Sequence, residues 1–229
     1  CLSERYRKQL LDEIPEIDVV MGTSDYTQIT KCIAEIHGHE GRIGIFEKKP
    51  LYSVKNLRTE EVIAKNKNYA YLKISEGCSN MCSFCNIPKL RGPFKSRSLR
   101  SIEQEFLTIL RNGIKEINLI SQDSASYGLD LDSGADLLSL VQKLLKASAS
   151  DFWLRIFYAY PNRYPKELFH LMAEDSRLTP YADIPFQHID DSVLKGMNRK
   201  ITALEIENLI ETALTTKPDL ALQIGRAHV

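Results

Sequence analysis

From Tyr69 onward the apolar positions switch repeatedly between two spacings. A short β-branched and aromatic run, "YAYLKIS" at 69–75, has the composition of a strand. In "SIEQEFLTILRNG" the apolar residues recur every three to four positions, and Gly113 closes the run, which predicts a helix over 101–113. The alternation continues with strand "EINLIS", helix "ADLLSLVQKLLKA", strand "WLRIFYAYP", helix "PKELFHLMAE", strand "YADIPFQ" and helix "ALEIENLIETALTT". "PDLAL" opens a fifth strand. Four strand–helix units in series imply parallel strands joined by right-handed crossovers, so the expected fold is α/β, a (β/α) barrel or part of one. Loops after the strands' carboxyl ends carry the chemistry of such folds. Residues far apart in sequence therefore share one rim: Cys78, Cys82 and Cys85 after the first strand, "SQD" after the second, "YPN" after the third and "QHID" after the fourth.

The segment before Tyr69 reads differently. In "YTQITKCIAEIHG", Ile29, Cys32, Ile33 and Ile36 fall at helical spacing and Gly38 suits a C-cap, so residues 1–45 are expected to form a small α/β unit. Residues 46–68 lose that periodicity and are rich in lysine, as a linker would be. The first residue is Cys, and the final "IGRAHV" matches the translation of a sequencing adapter. The barrel is therefore expected to run over 69–222, truncated, with 223–229 an adapter-derived artefact outside the fold.

Composition narrows the class. The 229 residues are 43% hydrophobic and 26% charged, as in a globular chain. No apolar run approaches the roughly 18 residues that span a bilayer, and the start has no signal-peptide pattern, so a cytoplasmic protein with no membrane partner is expected. Thirty basic residues balance thirty acidic ones, which argues against nucleic acid as the main partner. Five cysteines, three of them crowded into 78–85, do not make a secreted disulfide framework. Thiolates kept reduced for a metal fit better.

The stretch "EGCSNMCSFCNIP" at 76–88 spaces its cysteines as CxxxCxxC. A structural zinc would take four ligands in pairs, and the next histidine is His170, so zinc is disfavoured; a zinc-bearing, non-catalytic interaction module is the rival class. Three thiolates can instead hold a cubane iron–sulfur cluster at three corners and leave its fourth iron open.

This spacing after the first strand of a βα barrel resembles the radical S-adenosylmethionine superfamily. The resemblance implies a 4Fe-4S cluster on Cys78, Cys82 and Cys85, with the methionyl group of S-adenosylmethionine on the fourth iron and Phe84 near the adenine. It also implies cofactor binding by Ser121, Gln122 and Asp123 and a place for Gln187 and His188 near ribose or substrate. Arg91 and Arg199 are candidates to pair with a carboxylate, and "KLRGPFKSR" to steer an anionic partner, against the plainer reading of surface groups.

"CLSERY", "ISEGCSNMCSFCNIPKLRGPFKSR", "LISQDSASYG" and "DIPFQHIDDSVLKGMNR" together resemble methylthiotransferases, closest to the RimO-type branch. That resemblance implies an auxiliary 4Fe-4S cluster with Cys1 as one ligand and two further ligands upstream; Cys32 reads as core. It implies no catalytic side chains beyond the cluster ligands, because the radical acts on an inert C–H bond. The substrate implied is the β-carbon of an aspartate of ribosomal protein S-twelve, the electron donor a flavodoxin or ferredoxin. The alternative is the MiaB-type branch, which modifies transfer RNA; "SQD" and "QHID" here, in place of its Gly-Gln-Asn and serine-rich turn, favour the ribosomal branch. A chain lacking two auxiliary ligands is expected not to complete methylthiolation.

Overall fold

A parallel sheet needs a long connection between successive strands, and helices that cover one face of it supply that connection here. In the computed structural model, which describes residues 2–23, 25, 28–36, 41–46 and 68–225, five strands run in parallel and in sequential order. A small unit precedes them: α1 (Leu2–Tyr6), α2 (Lys8–Glu13), β1 (Val19–Met21), α3 (Ile29–Ile36) and β2 (Ile43–Ile45). The pair β1–β2 is parallel, with Val19 opposite Ile43, and α3 makes the crossover. The expected α/β unit is present. Its helix buries Cys32 at 1% exposure, as a core cysteine should. Ile29 and Ile33 are about half exposed, so the buried stripe is narrower than their spacing suggests. Cys1, Gly38 and nearly all of the expected linker lie outside the described residues.

The main sheet comprises β3 (Tyr69–Lys73), β6 (Glu116–Ile120), β7 (Trp153–Ile156), β8 (Leu178–Asp183) and β9 (Ala221–Gln223), in that spatial order. Between β3 and β6, a two-residue strand β4 (Ser75–Glu76) pairs antiparallel with β5 (Lys95–Ser96), and the loop they close contains the short helix α4 (Ile87–Arg91). The covering helices are α5 (Leu99–Arg111), α6 (Leu137–Ala147), α7 (Glu167–Glu174), α8 (Asp191–Gly196) and α9 (Ala203–Thr216).

Alternation sorts the sheet's two faces. Leu72, Ile117, Leu119, Leu154 and Ile156 are buried against Ile102, Phe106, Leu140, Leu144, Phe169 and Leu209 of the helices. Each such side chain contributes about 1.5–3 kcal/mol by leaving water. Phe106 meets Phe152 edge to face at 5.2 Å. The intervening residues are polar or aromatic: Tyr71 lies opposite Asn118, Asn118 opposite Arg155, and the Arg155 guanidinium sits 5.0 Å over the Tyr181 ring. A closed barrel would fill that side with branched apolar residues. This open sheet presents a polar face instead.

Helix starts follow local chemistry. Ser98 accepts from the Ser101 N–H, so α5 begins two residues before the periodic stretch. Reciprocal capping boxes open α6 (Asp136 with Ser139) and α9 (Thr202 with Glu205). Two strands depart from the pattern. β7 stops at Ile156, two residues before Tyr158 turns to φ +58°. β8 starts at Leu178, three residues earlier than predicted, and spans Pro180, which cannot donate to a ladder; its register against β7 slips between Leu154 and Ile156. β9 includes Gln223, whose carbonyl accepts from the Ile184 N–H at 2.9 Å. No described helix is long and apolar enough to cross a membrane.

Candidate cofactor site at the carboxyl ends of the strands

The cysteine loop is built as a tethered arch. Its two ends meet in the β4–β5 pair, and Gly77, at φ +75°, lets the chain leave β4 against the opposite limb. A Cβ at Gly77 would lie 2.2 Å from the Pro93 carbonyl oxygen and 2.6 Å from that of Gly92. The next residue, Cys78, donates its N–H to the Gly92 oxygen at 3.2 Å. Glu76, 2% exposed, ties the arch together by accepting from Lys73 Nζ and, at 3.2 Å, from Arg91 Nη1. Arg91 is thereby engaged within the protein. The basic run is partly internal too: Arg97 is buried, donating to the Lys73 carbonyl at 2.7 Å and to Glu105 Oε2 at 2.6 Å.

The crown of the arch is held by the segment after α8. Ser83 donates its N–H to the Met197 oxygen at 3.0 Å, and Asn198 Nδ2 donates to the Met81 oxygen at 2.8 Å. Met81, Tyr158, Gln187 and Asn198 all have φ between +54° and +75°, an uncommon conformation for residues other than glycine. All four stand on loops beyond the strands' carboxyl ends, where the strain of such positions is often functional.

Each thiol has a distinct environment, and all three are partly exposed. Burial pushes the Cys78 thiol up, an effect opposed by the Asn80 backbone hydrogen bond and reinforced by the charges of Asp123, Cys82 and Cys85. Cys85 Sγ accepts from the Ile87 N–H at 3.5 Å, and Cys82 Sγ lies 3.7 Å from Arg199 Nη1. Among the described residues no three His, Cys, Asp or Glu side chains converge on a point where one metal ion could be held. A tetrahedral zinc needs that convergence. A cubane takes each thiolate on its own iron, and three free thiols on one arch fit it. Mutual thiolate repulsion would be relieved by the cationic irons, at the expense of the thiol protons.

Asp123 is the hub beneath the arch. Only 2% exposed, it accepts from Asn80 Nδ2 at 2.7 Å and Ser126 Oγ at 2.5 Å on one oxygen, and from the Tyr160 N–H at 3.0 Å on the other. Its polar capacity is largely engaged in joining three loops. Ser121 is also committed, accepting from the Asp123 N–H at 2.9 Å beside Ser124 Oγ. Gln122 differs: its Oε1 is buried and has no protein partner, so it retains an acceptor for a ligand's ammonium or hydroxyl. Gln187 is half-buried, with its N–H on the Gly225 oxygen at 2.9 Å. His188 Nδ1 accepts from the Asp190 N–H at 2.9 Å, a local turn contact. Phe84 is 49% exposed, open to a planar guest.

Replacing Asp123 by Ala would strand the buried Tyr160 N–H and Ser126 hydroxyl and the half-buried Asn80 amide. Hydrogen bonds to a charged acceptor contribute about 1.5–3 kcal/mol each, so with partial relaxation we expect a loss of about 3 kcal/mol, read from the urea midpoint.

Three participants escaped the pattern reading. Tyr160, placed by the sequence on the rim as part of "YPN" with no partner named, has its ring 4.0 Å beneath Arg199, and its hydroxyl accepts from the Lys200 N–H at 3.1 Å. Glu76, to which the cysteine spacing assigns no role, is the buried carboxylate that pairs with Lys73 and Arg91. Asp183, 8% exposed, ends β8 with its carboxyl pushed up by burial and Oδ2 accepting from the Tyr158 N–H at 3.3 Å. The only sequence signals were a carboxylate beside Gly-Cys and an acid at the end of an apolar strand.

Residues 72–218 match the family model described as "Radical SAM superfamily". The chain belongs to the radical SAM superfamily. Curated relatives within it are named ribosomal protein uS12 methylthiotransferase RimO. That of Caldanaerobacter subterraneus subsp. tengcongensis is 43% identical over 92% of this chain and 47% of its own length. Those of Acetivibrio thermocellus and Geotalea uraniireducens are 37% and 40% identical over 97% of this chain, and over 50% and 49% of their own lengths. This radical SAM chain thus spans about half the length of the relatives it matches. Among solved structures, the cobalamin-dependent S-adenosylmethionine radical enzyme OxsB with aqua-cobalamin and S-adenosylmethionine bound superposes with a TM-score of 0.62, at 16% identity over 98% of this chain and 35% of that one. The radical S-adenosylmethionine methyltransferase TsrM from Kitasatospora setae gives 0.55, at 16% identity over 72% of this chain and 31% of its own. At those identities the likeness establishes the shared radical SAM fold.

Proposed function

We propose that this radical SAM chain is part of a methylthiotransferase that places a methylthio group on the β-carbon of an aspartate of ribosomal protein S-twelve. The observation that carries the reading is the three-thiol arch at the strand ends, in a chain 37–43% identical to relatives named for that activity. Cys78, Cys82 and Cys85 would hold a 4Fe-4S cluster, and Cys1 would be a ligand of a second one. When bound, the first cluster supplies the electron that splits S-adenosylmethionine into methionine and a radical able to take hydrogen from an unactivated carbon.

The protein's own part is placement. Gln122 Oε1 offers an unused acceptor beside the arch. Phe84 offers a face to the adenine, and Gln187 a polar group to ribose or substrate. Asp123 holds Asn80, Ser126 and Tyr160 in register, so the arch keeps its height above the sheet. The substrate would enter over the polar face of the sheet, where Asn118 and Arg155 stand. A flavodoxin- or ferredoxin-type donor in the cytoplasm, where ribosomes are, would provide the electron.

The test extends the chain to its relatives' full length, loads it anaerobically with iron and sulfide, and supplies S-adenosylmethionine with ribosomal protein S-twelve or transfer RNA. We expect the mass gain of one methylthio group on the protein substrate. Modification of the transfer RNA alone would overturn the reading.

A further inference from the structure

Arg199 is a buried cation whose contacts gather around one cysteine of the arch. The residue is 8% exposed, although its long charged side chain belongs to a type almost never fully buried without a partner. Nη2 donates to the Pro185 carbonyl, Cζ of the guanidinium lies 4.0 Å over the Tyr160 ring, and Nη1 donates to Cys82 Sγ at 3.7 Å. Nε is buried and has no partner. No carboxylate is paired with Arg199 among the described ion pairs, and the Cys82 sulfur, 3.7 Å from Nη1, is the group in reach that would become anionic on ligating a cluster. Such a cation is costly to bury unless a negative charge is developed beside it. The Tyr160 ring fixes the plane of the fork, and Asp123 fixes Tyr160 through its N–H.

We propose that Arg199 is a positioning residue that acts through Cys82 to make the cluster on the arch easier to reduce. This rests on the reading that Cys78, Cys82 and Cys85 hold a 4Fe-4S cluster. Reduction adds one electron, from a low-potential one-electron donor, to a cluster whose thiolate ligands already carry negative charge. A fixed positive charge and an N–H aimed at one ligand sulfur stabilise the reduced form more than the oxidised form, which raises the midpoint potential. A lysine in the same place would keep the charge and lose the planar fork that both stacks on Tyr160 and reaches Cys82.

The experiment is a redox titration of the iron- and sulfide-loaded chain in the absence of S-adenosylmethionine. The reduced cluster is quantified by electron paramagnetic resonance, and iron is counted per chain. At a potential that half-reduces the parent, Arg199→Gln is expected to lower the ratio of reduced to oxidised cluster about tenfold, equivalent to about 59 mV for a one-electron couple. Arg199→Lys is expected to lower it about threefold. Both variants are expected to retain the parent's iron content. A merely structural Arg199 would lower iron content or thermal stability and leave the midpoint of the loaded fraction where it was, which would overturn the inference. If the glutamine variant is not recovered folded, the lysine variant decides, and a midpoint equal to the parent's would overturn the proposal. A parent that takes up no iron and sulfide would overturn the cluster reading together with this inference. A loaded parent whose potential is indifferent to position 199 would overturn this inference alone.

Discussion

Triple replacement of Cys78, Cys82 and Cys85 by serine is expected to abolish uptake of iron and sulfide and to reduce S-adenosylmethionine cleavage to background, while the protein stays folded. The two halves of this expectation have separate causes. The thiolates are the only iron ligands that the arch offers, and a hydroxyl, weakly acidic and hard, does not replace them. None of the three is in a disulfide or in the hydrophobic core, and serine is nearly isosteric, so the change in stability should stay within about 1 kcal/mol. Iron analysis, visible absorption and product detection check the first half, and thermal denaturation of the unloaded protein the second. A triple variant that cleaves the cofactor as well as the parent would remove the foundation of the functional reading.

A large structural effect is expected from Gly77→Ala. A left-handed backbone costs about 1–2 kcal/mol for a residue with a Cβ, and that Cβ would overlap the Pro93 and Gly92 carbonyl oxygens, which are backbone and cannot rotate aside. Together these amount to about 3 kcal/mol, or a fall in Tm of roughly 6–12 °C for a chain of this size. Gly113→Ala is the matched control. Gly113 has nearly the same φ, +79°, but open space around the added carbon, so it should lose only the backbone part. Gly77→Ala should also impair cluster loading, because relief of the overlap pushes Cys78 away from Gly92. Equal losses in the two variants would show that the limbs of the arch are not in close contact.

The strand–helix order was readable because α5, α6, α7 and α9 each carry apolar residues at helical spacing that are buried in the core. α9 begins at the Thr202–Glu205 box and runs to Thr216, as its periodicity requires. The strands were less readable. "YADIPFQ" starts too late for β8, because proline disqualifies a residue as a ladder donor without stopping the chain from staying extended on either side of it. "WLRIFYAYP" overran β7, because Phe157, Tyr158 and Tyr160 are aromatic for reasons of the site and not of the ladder.

At the site, the cysteine spacing was visible because ligands of one cluster are brought close by a short loop. The roles of the supporting residues were not. "SQD" reads as three equivalent polar groups, yet Asp123 is consumed by loops 37 and 43 positions away, Ser121 by its own turn, and Gln122 alone retains a buried free acceptor. Arg199 reads as a partner for a carboxylate or as a surface cation until the fold carries it across 117 positions to Cys82.

Taken alone, the amino-acid order determined the succession of strands and helices and the chemistry of the three thiols, since both depend on neighbours within a few residues. Only the tertiary structure decided which polar groups remain available and which are spent, because a hydrogen bond or a buried charge is satisfied by whatever the folded chain brings within about 3 Å, regardless of distance in sequence.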